Sequence, residues 1–558
     1  MPQSARWAGS PSIKGRSEST RMALLTFSLV GLQFTWGTEM TYCTPYLLQL
    51  GLTKSKTSLV WIAGPLSGLI IQPLIGVIAD RSRSKWGRRR PFMVFGSFVV
   101  ALCLFVLGWT AEIVALFVSD PEKARNYTIA LAVLSIYAVD FSINVAGRMC
   151  AIGQLIGYVI GSIDTVSIFG SIIGDTQFKQ MTVIAALSLI GAVSVTSYAV
   201  KERVLLSASW RDPSCRSAVQ NYNGAPASHP SYLLGSILGV DWYVYLTWAL
   251  RAHTYLFPGW FPFLFYSTTW VGETYFRYEV PAEQVTKSTD MLGEVGRVGS
   301  LSLVVFSSIT FLSSVLLPFC VQPPDTKRER FTPRPPPGIA RLLKSITTVR
   351  PDLQTAWLIS QVMFAATMIF APLAHSRAFA TFLVAVCGIP WAISGWAPFA
   401  FMGVEINKLT MSGGAAATMP TSRSGAVTMI TSASLRASSA AESELDVLRL
   451  NHRDADSDTD EEDPTSLSSN IPSTGELAGI YLGVLNVYTT LPQFVGTFIS
   501  WIVFSILEPE AQPGTDESDT GWMNLDKDKP NAIAVCLFIG ALSALIAAEA
   551  TRRLRYVL

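Results

Sequence analysis

Residues 91–112 read PFMVFGSFVVALCLFVLGWTAE, and the only charged side chain in this stretch is Glu112 at its end. A helix of about 20 apolar residues crosses a bilayer core that is about 30 Å thick. The stretch therefore predicts a membrane-spanning helix. Its apolar residues follow one another without alternating with polar ones, which favours a helix over a strand of a membrane barrel.

Eleven further blocks of this kind occur along the 558 residues. The chain is 50% hydrophobic and 15% charged, whereas soluble proteins have about 25% charged residues. Twelve apolar blocks cannot share one soluble core, so we predict an all-α integral membrane protein with about twelve spanning helices. The other predicted spans are 22–48, 57–79, 127–145, 150–172, 181–200, 254–272, 298–320, 353–374, 377–403, 476–506 and 531–550.

The same composition argues against several classes of protein. A net charge of +2 indicates no nucleic-acid partner. The seven cysteines are scattered, and the four histidines lie outside the predicted spans and away from any cysteine pair. Neither a zinc site nor a hydrolase triad is therefore supported. We expect no enzymatic activity, no metal and no cofactor.

Lysine and arginine in the short connections predict the orientation in the membrane. They concentrate in the N-terminal tail, in the connections between the second and third and between the eighth and ninth spans, and at the C-terminus. Acidic residues dominate connections on the opposite side. If every block spans once, all the basic segments face one side, so both termini are predicted to be cytoplasmic.

Two long connections divide the chain. We expect a cytoplasmic tail over 1–21 and a six-helix half over 22–200, followed by a central cytoplasmic loop over 201–250. A second six-helix half is expected over 251–558. Within it, residues 408–474 are rich in Ser, Ala and Thr and then acidic, which is typical of a disordered cytoplasmic loop.

A charged residue inside a span suggests a functional site. Gln33, Trp36 and Glu39 lie on neighbouring turns of the first span, and Asp140 and Asn144 lie one turn apart in the fourth. Burial favours the protonated form of a carboxyl group, so Asp140 and Glu39 are candidates for proton coupling.

Aromatic faces with amides and hydroxyls nearby suit an uncharged ligand that carries many hydroxyl groups. Hydrogen bonding between neighbouring helices is the alternative role for these polar groups, and it remains open. The candidate sugar-binding residues within or at the ends of the spans are Gln33, Trp36, Asn144, Trp270, Glu273, Asn486 and Gln493.

The stretch GVIADRSRSKWGRRRPF, Gly76 to Phe92, resembles the loop signature of the major facilitator superfamily. In that family the acidic and arginine residues of this loop lock the two halves together on the cytoplasmic side. The resemblance implies the same role for a cytoplasmic gate of Asp80, Arg81, Gly87, Arg88 and Arg89. A basic loop that only sets the topology is the alternative.

Three further strings resemble the sucrose–proton symporter branch, most closely its fungal members. They are GWFPFLFYSTTWVGE (259–273), CGIPWAISGWAPFAFMGVEIN (387–407) and GELAGIYLGVLNVYTTLPQFVGT (475–497). The resemblance implies a major facilitator fold with a central sugar site and inward proton coupling. It also implies sucrose or another α-glucoside, such as maltose, as the substrate.

The family pattern implies that Asp140 accepts the proton and that Glu294 and Arg297 belong to the site. The chain departs from it in the fourth span, where Ala151 stands eleven residues after Asp140 in place of an arginine. The fourth and fifth helices are therefore expected to be shortened. Lys54 also follows the first span where plant members often carry a histidine.

We therefore expect a symporter that imports sucrose or another α-glucoside with a proton by alternating access. The alternatives are an uncoupled sugar facilitator and a non-transporting sugar sensor or defective paralogue. The expected partners are the sugar, the proton and the lipid bilayer, with no obligate protein partner. The plasma membrane is the expected location, with the vacuolar membrane as the alternative.

Overall fold

The computed structural model describes most of the apolar part of the chain and little of the long connections. It describes residues 6–8, 10, 12–87, 89–146, 158–170, 173–202, 204–207, 240–281, 290–322, 350–416, 474–508, 527 and 529–553.

In the N-terminal half, the starts of several helices are marked by capping side chains. Thr53 accepts a hydrogen bond from the amide of Lys56, and Thr176 accepts one from the amide of Lys179. Such caps satisfy amide groups that have no partner within the helix. The helices are α1 Glu18–Thr26, α2 Ser28–Gln49, α3 Lys54–Val60, α4 Ala63–Arg81, α5 Arg90–Gly108, α6 Thr110–Ala115, α7 Pro121–Ala146, α8 Thr165–Phe169 and α9 Gln177–Ala199.

The C-terminal half is also helical. The apolar run VDWYVYLTWAL continues the helical pattern, so its first helix begins at Val240, inside the stretch that the sequence assigns to the central loop. The elements are α10 Val240–Tyr278, α11 Met291–Cys320, α12 Leu353–Met368, a 3-10 turn Ala371–Leu373, α13 Arg377–Val386, α14 Gly388–Ala416, α15 Thr474–Leu507 and α16 Ala532–Arg553.

Eight helical segments within the described residues are long and apolar enough to cross a membrane. They confirm the prediction of a multi-pass helical membrane protein. The count of twelve spans and the cytoplasmic position of the termini stay predictions. The eight segments are Arg90–Gly108, Pro121–Ile143, Gln177–Ala199, Met291–Cys320, Leu353–Leu373, Arg377–Gly403, Leu485–Leu507 and Ala532–Arg553.

The described residues up to Met402 and from Tyr481 onward form one compact unit. This unit contains helices of both halves and one large apolar core in which α2 packs against α9, α10 and α11. Within the C-terminal half, α10 and α16 approach closely at two glycines. A Cβ atom added to Gly540 would lie only 2.8 Å from the Cα atom of Gly259. The small residues therefore set the distance between these helices.

The N-terminal tail lies beside the end of the first half. β1, Arg6–Ala8, pairs antiparallel with β4, Val204–Ser207, and β2, Ser12–Ile13, pairs antiparallel with β3, Val200–Lys201. We call this end of the helical bundle the proximal end. The tail is thus joined to the first residues of the central connection.

The opposite end, which we call the distal end, is where α2 ends and α3 begins. Arg125, near the start of α7, donates a hydrogen bond of 3.4 Å from its Nε atom to the Leu50 carbonyl oxygen there. The amide of Gln177, at the start of α9, donates one of 3.3 Å to Asp290, just before α11. Helix ends from both halves therefore meet at the distal end.

Candidate functional site

Helix α2, which packs against α10 and α11 of the C-terminal half, carries three of the predicted site residues. Glu39 is buried, whereas Gln33 and Trp36 are partly exposed. Thr268 of α10 donates a hydrogen bond of 3.2 Å to the Met40 carbonyl oxygen, which ties α2 to the C-terminal half next to Glu39. The predicted polar face of the first span therefore lies close to the contact between the halves.

Two carboxyl groups from different helices interact in this region. Glu39 of α2 and Asp140 of α7 are 2% and 6% exposed. The two groups lie within electrostatic reach of each other. Neither carboxyl oxygen of Glu39 has a hydrogen-bond partner among the described residues. Two carboxyl groups that are both out of water and close enough to interact are candidates for binding and releasing a proton.

Helix α4 makes room for Asp140. A Cβ atom added to Gly64 would lie 3.9 Å from a carboxyl oxygen of Asp140, so the aspartate faces the open side of this glycine. One turn later, the Ser67 hydroxyl donates a hydrogen bond of 2.9 Å to the Asp140 carbonyl oxygen. α4 and α7 are thereby held in register at the carboxyl pair.

Helix α15 brings polar groups of the C-terminal half to α4. Asn486 donates a hydrogen bond of 3.0 Å from Nδ2 to the Gly68 carbonyl oxygen, and its own side-chain oxygen has no partner among the described residues. Thr490 also faces Gly68. Gln493 donates instead to the Thr489 carbonyl oxygen of its own helix, at 3.0 Å. Asn486 thus bridges the two halves.

Several predicted residues lie outside the described part of the chain. They are the side chains of Asp80, Arg81 and Asn144, and all of Arg88. Their proposed roles stay predictions.

Two members of the predicted cytoplasmic gate are described, and both contact Glu202. Glu202 accepts a hydrogen bond of 3.0 Å from the backbone amide of Arg89. Gly87 has a φ angle of 111°, and a Cβ atom added to it would lie 2.7 Å from Cβ of Glu202. Glu202 therefore joins the loop between α4 and α5 to the end of α9, within the N-terminal half.

We expect Gly87→Ala to destabilise this loop. A residue with a Cβ atom is strained at this positive φ angle, by about 1–3 kcal/mol, and it would also push against Glu202. The thermal unfolding temperature of the detergent-purified protein should fall. Gly395→Ala in α14 is the matched control, because no atom lies within 4 Å of the added Cβ. An equal effect of both substitutions would contradict this explanation.

A buried ion pair lies at the distal end. The Lys54 ammonium group binds the carboxylate of Glu273 in α10 and, at 3.0 Å, that of Glu508 after α15. Burial lowers the pKa of Lys54, but the two carboxylates raise it by more, so the net shift is upward. Lys54 therefore stays charged. Removing one partner from a buried ion pair costs about 3–5 kcal/mol.

The predicted sugar contact Glu273 is thus part of an ion pair, and Arg297 is engaged in a similar way. Arg297 donates a hydrogen bond of 3.1 Å to the side-chain oxygen of Gln177 and lies 3.5 Å from a carboxylate oxygen of Asp164. Both partners belong to the N-terminal half. Glu294 is partly exposed in the first turn of α11.

Trp270 lines a cavity of about 340 Å³ at the distal end of the C-terminal half. All residues around this cavity belong to that half, including Arg277, His375 and Asn531. The cavity is therefore separate from the contact between the halves, where Glu39 and Asn486 lie.

Sequence reasoning missed the roles of Gln177, Glu202 and Glu508. Each lies at or just beyond the end of a helix, where a polar residue is expected in any case. Lys54 was noted only as a departure from the plant pattern. No local signal distinguishes these residues, because their partners are distant in sequence.

Comparisons with known proteins agree with this architecture. The sequence profile of the family described as MFS/sugar transport protein matches residues 26–146. The general alpha-glucoside permease of Schizosaccharomyces pombe is 31% identical over 484 residues, which cover 71% of this chain and 82% of the permease. The chain belongs to this family of major facilitator sugar transporters.

A second relative of this transporter is the sucrose transport protein SUC4 of Arabidopsis thaliana. It is 26% identical over 438 residues, which cover 72% of this chain and 80% of the plant protein. The family resemblance and the prediction of a membrane transporter rather than an enzyme are thus confirmed. The major facilitator fold follows from this membership.

Proposed function

We propose that this transporter imports sucrose or another α-glucoside, such as maltose, together with a proton. The observation that carries the proposal is the buried pair of Glu39 and Asp140 on α2 and α7. Protonation of one carboxyl group removes a buried charge and the repulsion between the two. The named activities of the fungal and plant relatives support the choice of sugar.

Buried polar groups of the C-terminal half suit a ligand with many hydroxyl groups. Buried side-chain atoms without a partner among the described residues include the Ser267 and Thr269 hydroxyls of α10 and the Asn486 side-chain oxygen of α15. An unpartnered buried polar group costs free energy, which a sugar hydroxyl would recover by hydrogen bonding. In the N-terminal half, Trp36 of α2 offers an aromatic face.

Transport then follows from the change of charge at the carboxyl pair. Asp140 takes a proton from the outside, aided by Glu39, and the sugar binds between the halves. The neutral site permits closure on the outside. The cytoplasmic gate of Asp80, Arg81, Gly87, Arg88 and Arg89 opens, and sugar and proton leave inward.

Uptake of radiolabelled sucrose and maltose in a transport-deficient yeast tests this proposal. We expect accumulation against the sugar gradient, faster at pH 5 than at pH 7, and abolished by a protonophore. Equal rates at both pH values, with no accumulation, would contradict proton coupling. Absence of uptake for both sugars would contradict the proposed substrate class.

An uncoupled facilitator is the second candidate. Ala151 stands where the family pattern has an arginine eleven residues after Asp140, which favours this reading. A facilitator would equilibrate labelled sugar across the membrane without exceeding the external concentration. The protonophore arm of the same assay separates the two functions.

The arrangement in the membrane is part of the proposal. We place twelve spans in two six-helix halves, with both termini and the connections 201–250 and 408–474 in the cytoplasm of a plasma-membrane protein. The distal end then faces the outside. An epitope at the N-terminus should bind antibody only after intact cells are made permeable.

A further inference from the structure

The distal end of the transporter is held together by ion pairs between the two halves. We define the distal gate as Lys54, Glu273 and Glu508. Lys54 begins α3 in the N-terminal half, whereas both carboxylates belong to the C-terminal half. The gate is therefore a direct electrostatic link between the halves.

The distal gate is buried, and its single ammonium group is paired with two carboxylates. The Lys54 and Glu273 side chains are 4% and 0% exposed, and that of Glu508 is 17% exposed. Asn531 donates a hydrogen bond of 3.1 Å to the second oxygen of Glu273. Glu273 thus keeps a partner in its own half when Lys54 moves away, and Glu508 already reaches water.

An apolar layer lies beneath the gate. The Trp61 ring packs 4.2 Å from the Phe265 ring, measured between centroids. Thr44 accepts a hydrogen bond of 3.1 Å from the Trp61 ring nitrogen and donates one of 3.0 Å to the Phe265 carbonyl oxygen. This layer keeps water from the inner side of the gate, and ion pairs are stronger where water is excluded.

A second link between the halves lies at the same end, and in this one the C-terminal half supplies the positive charge. Arg297 of the C-terminal half reaches Gln177 and Asp164 of the N-terminal half. The Arg297 and Asp164 side chains are 28% and 46% exposed, so water weakens this ion pair. Separating the charges of the distal gate while they stay buried therefore costs more than breaking this exposed ion pair.

We propose that Lys54 holds the distal gate closed and that its ion pairs with Glu273 and Glu508 break whenever the halves separate at this end. A half-open gate would leave buried charges without partners, whereas a fully open one gives all three groups water. The gate therefore has two favourable states. The role of the distal gate in sugar uptake rests on the proposed function. The closure of the gate by Lys54 is independent of which solute is transported.

A reversible cross-link tests whether the distal end must open. The Ser55 and Ser505 hydroxyl oxygens, from opposite halves, lie 2.6 Å apart beside the gate. Cysteines at both positions are close enough for a disulfide. In the full-length Ser55→Cys/Ser505→Cys variant, we expect oxidation to abolish sugar uptake and reduction to restore it.

Each single cysteine variant serves as a control, since neither can form this bridge. Its uptake should respond to the oxidant no more than that of the parent protein. Cleavage of the chain in the 208–239 segment verifies the bridge, because the two fragments stay joined until they are reduced. Undiminished uptake by the bridged protein would overturn the proposal.

A labelling experiment tests Lys54 without requiring transport. Cys43 is buried on α2 and lies within electrostatic reach of Glu39 and Asp140, behind the gate. In a variant that keeps only this cysteine, we measure its reaction with a membrane-impermeant maleimide applied to intact cells. Lys54→Met should raise the labelling rate by about tenfold or more. Loss of the buried ion pairs shifts the equilibrium between the closed and open gate strongly toward the open state.

Two matched variants separate the charge from other effects. Lys56→Met changes an exposed lysine two residues away on the same helix, and it should leave the labelling rate unchanged. Lys54→Arg keeps the charge and should stay near the parent rate. An unchanged rate in Lys54→Met would overturn the gate assignment, whatever the uptake assay shows. Absence of uptake in the parent protein with faster labelling in Lys54→Met would overturn only the proposed function.

Discussion

The Asp140→Asn variant is expected to lose proton-driven accumulation of sugar completely. The substitution keeps the size of the side chain but removes its ability to bind and release a proton. The site then stays in one charge state whatever the external pH, so the proton gradient no longer drives transport. Internal labelled sugar should no longer exceed the external concentration at acid pH.

Exchange of labelled for unlabelled sugar gives the control for Asp140→Asn. Exchange needs binding and movement of the halves but no net release of a proton. It should therefore persist in this variant. Glu39→Gln should lower accumulation less, because Asp140 keeps its own carboxyl group. Normal uphill uptake by Asp140→Asn would reject the assignment of this residue as the proton carrier.

The Gly540→Val variant is expected to unfold at a clearly lower temperature than the parent protein. The Gly540 backbone meets Gly259 of α10, and an added Cβ atom would lie 2.8 Å from the Gly259 Cα atom and 3.1 Å from its carbonyl oxygen. Backbone atoms cannot rotate away as a side chain does, so α10 and α16 must separate. Overpacking of a core costs about 1–3 kcal/mol, and we expect at least this loss here.

Thermal unfolding of the purified protein measures the effect. Gly191→Val in α9 is the matched control, since Gly191 is exposed and no atom lies within 4 Å of its added Cβ atom. Its unfolding temperature should stay near that of the parent protein. Similar stability for the two valine variants would show that the glycine contact does not set the spacing of α10 and α16.

Helices and membrane insertion could be predicted because each depends on neighbours in the chain. The run of apolar residues in α5 meets the length of a bilayer core without reference to any other segment. The cap at Thr53 and the glycine at position 87 are local in the same way. The start of α10 was placed too late because Arg251 and His253 interrupt an otherwise apolar run.

The chemical types of the site residues were also visible in the chain, since a charge within a span stands out by its cost. Their partners were not. Asp140 and Glu39 were both named as candidates for proton coupling, but the sequence did not show that their carboxyl groups interact. Glu273 was named as a sugar contact, and its ion pair with Lys54 was not foreseen. Arg297 was named as a sugar contact, and its contacts with Gln177 and Asp164 of the other half were not foreseen.

The amino-acid order thus decided which segments are helical, which of them suit a membrane and which polar side chains are costly enough to need a role. Folding of the two halves against each other decided which carboxyl group meets a second carboxyl group and which meets an ammonium group. The reason is that helix formation follows from residues up to four positions apart. The distance between charges on different helices depends on how the side chains of the whole bundle pack together.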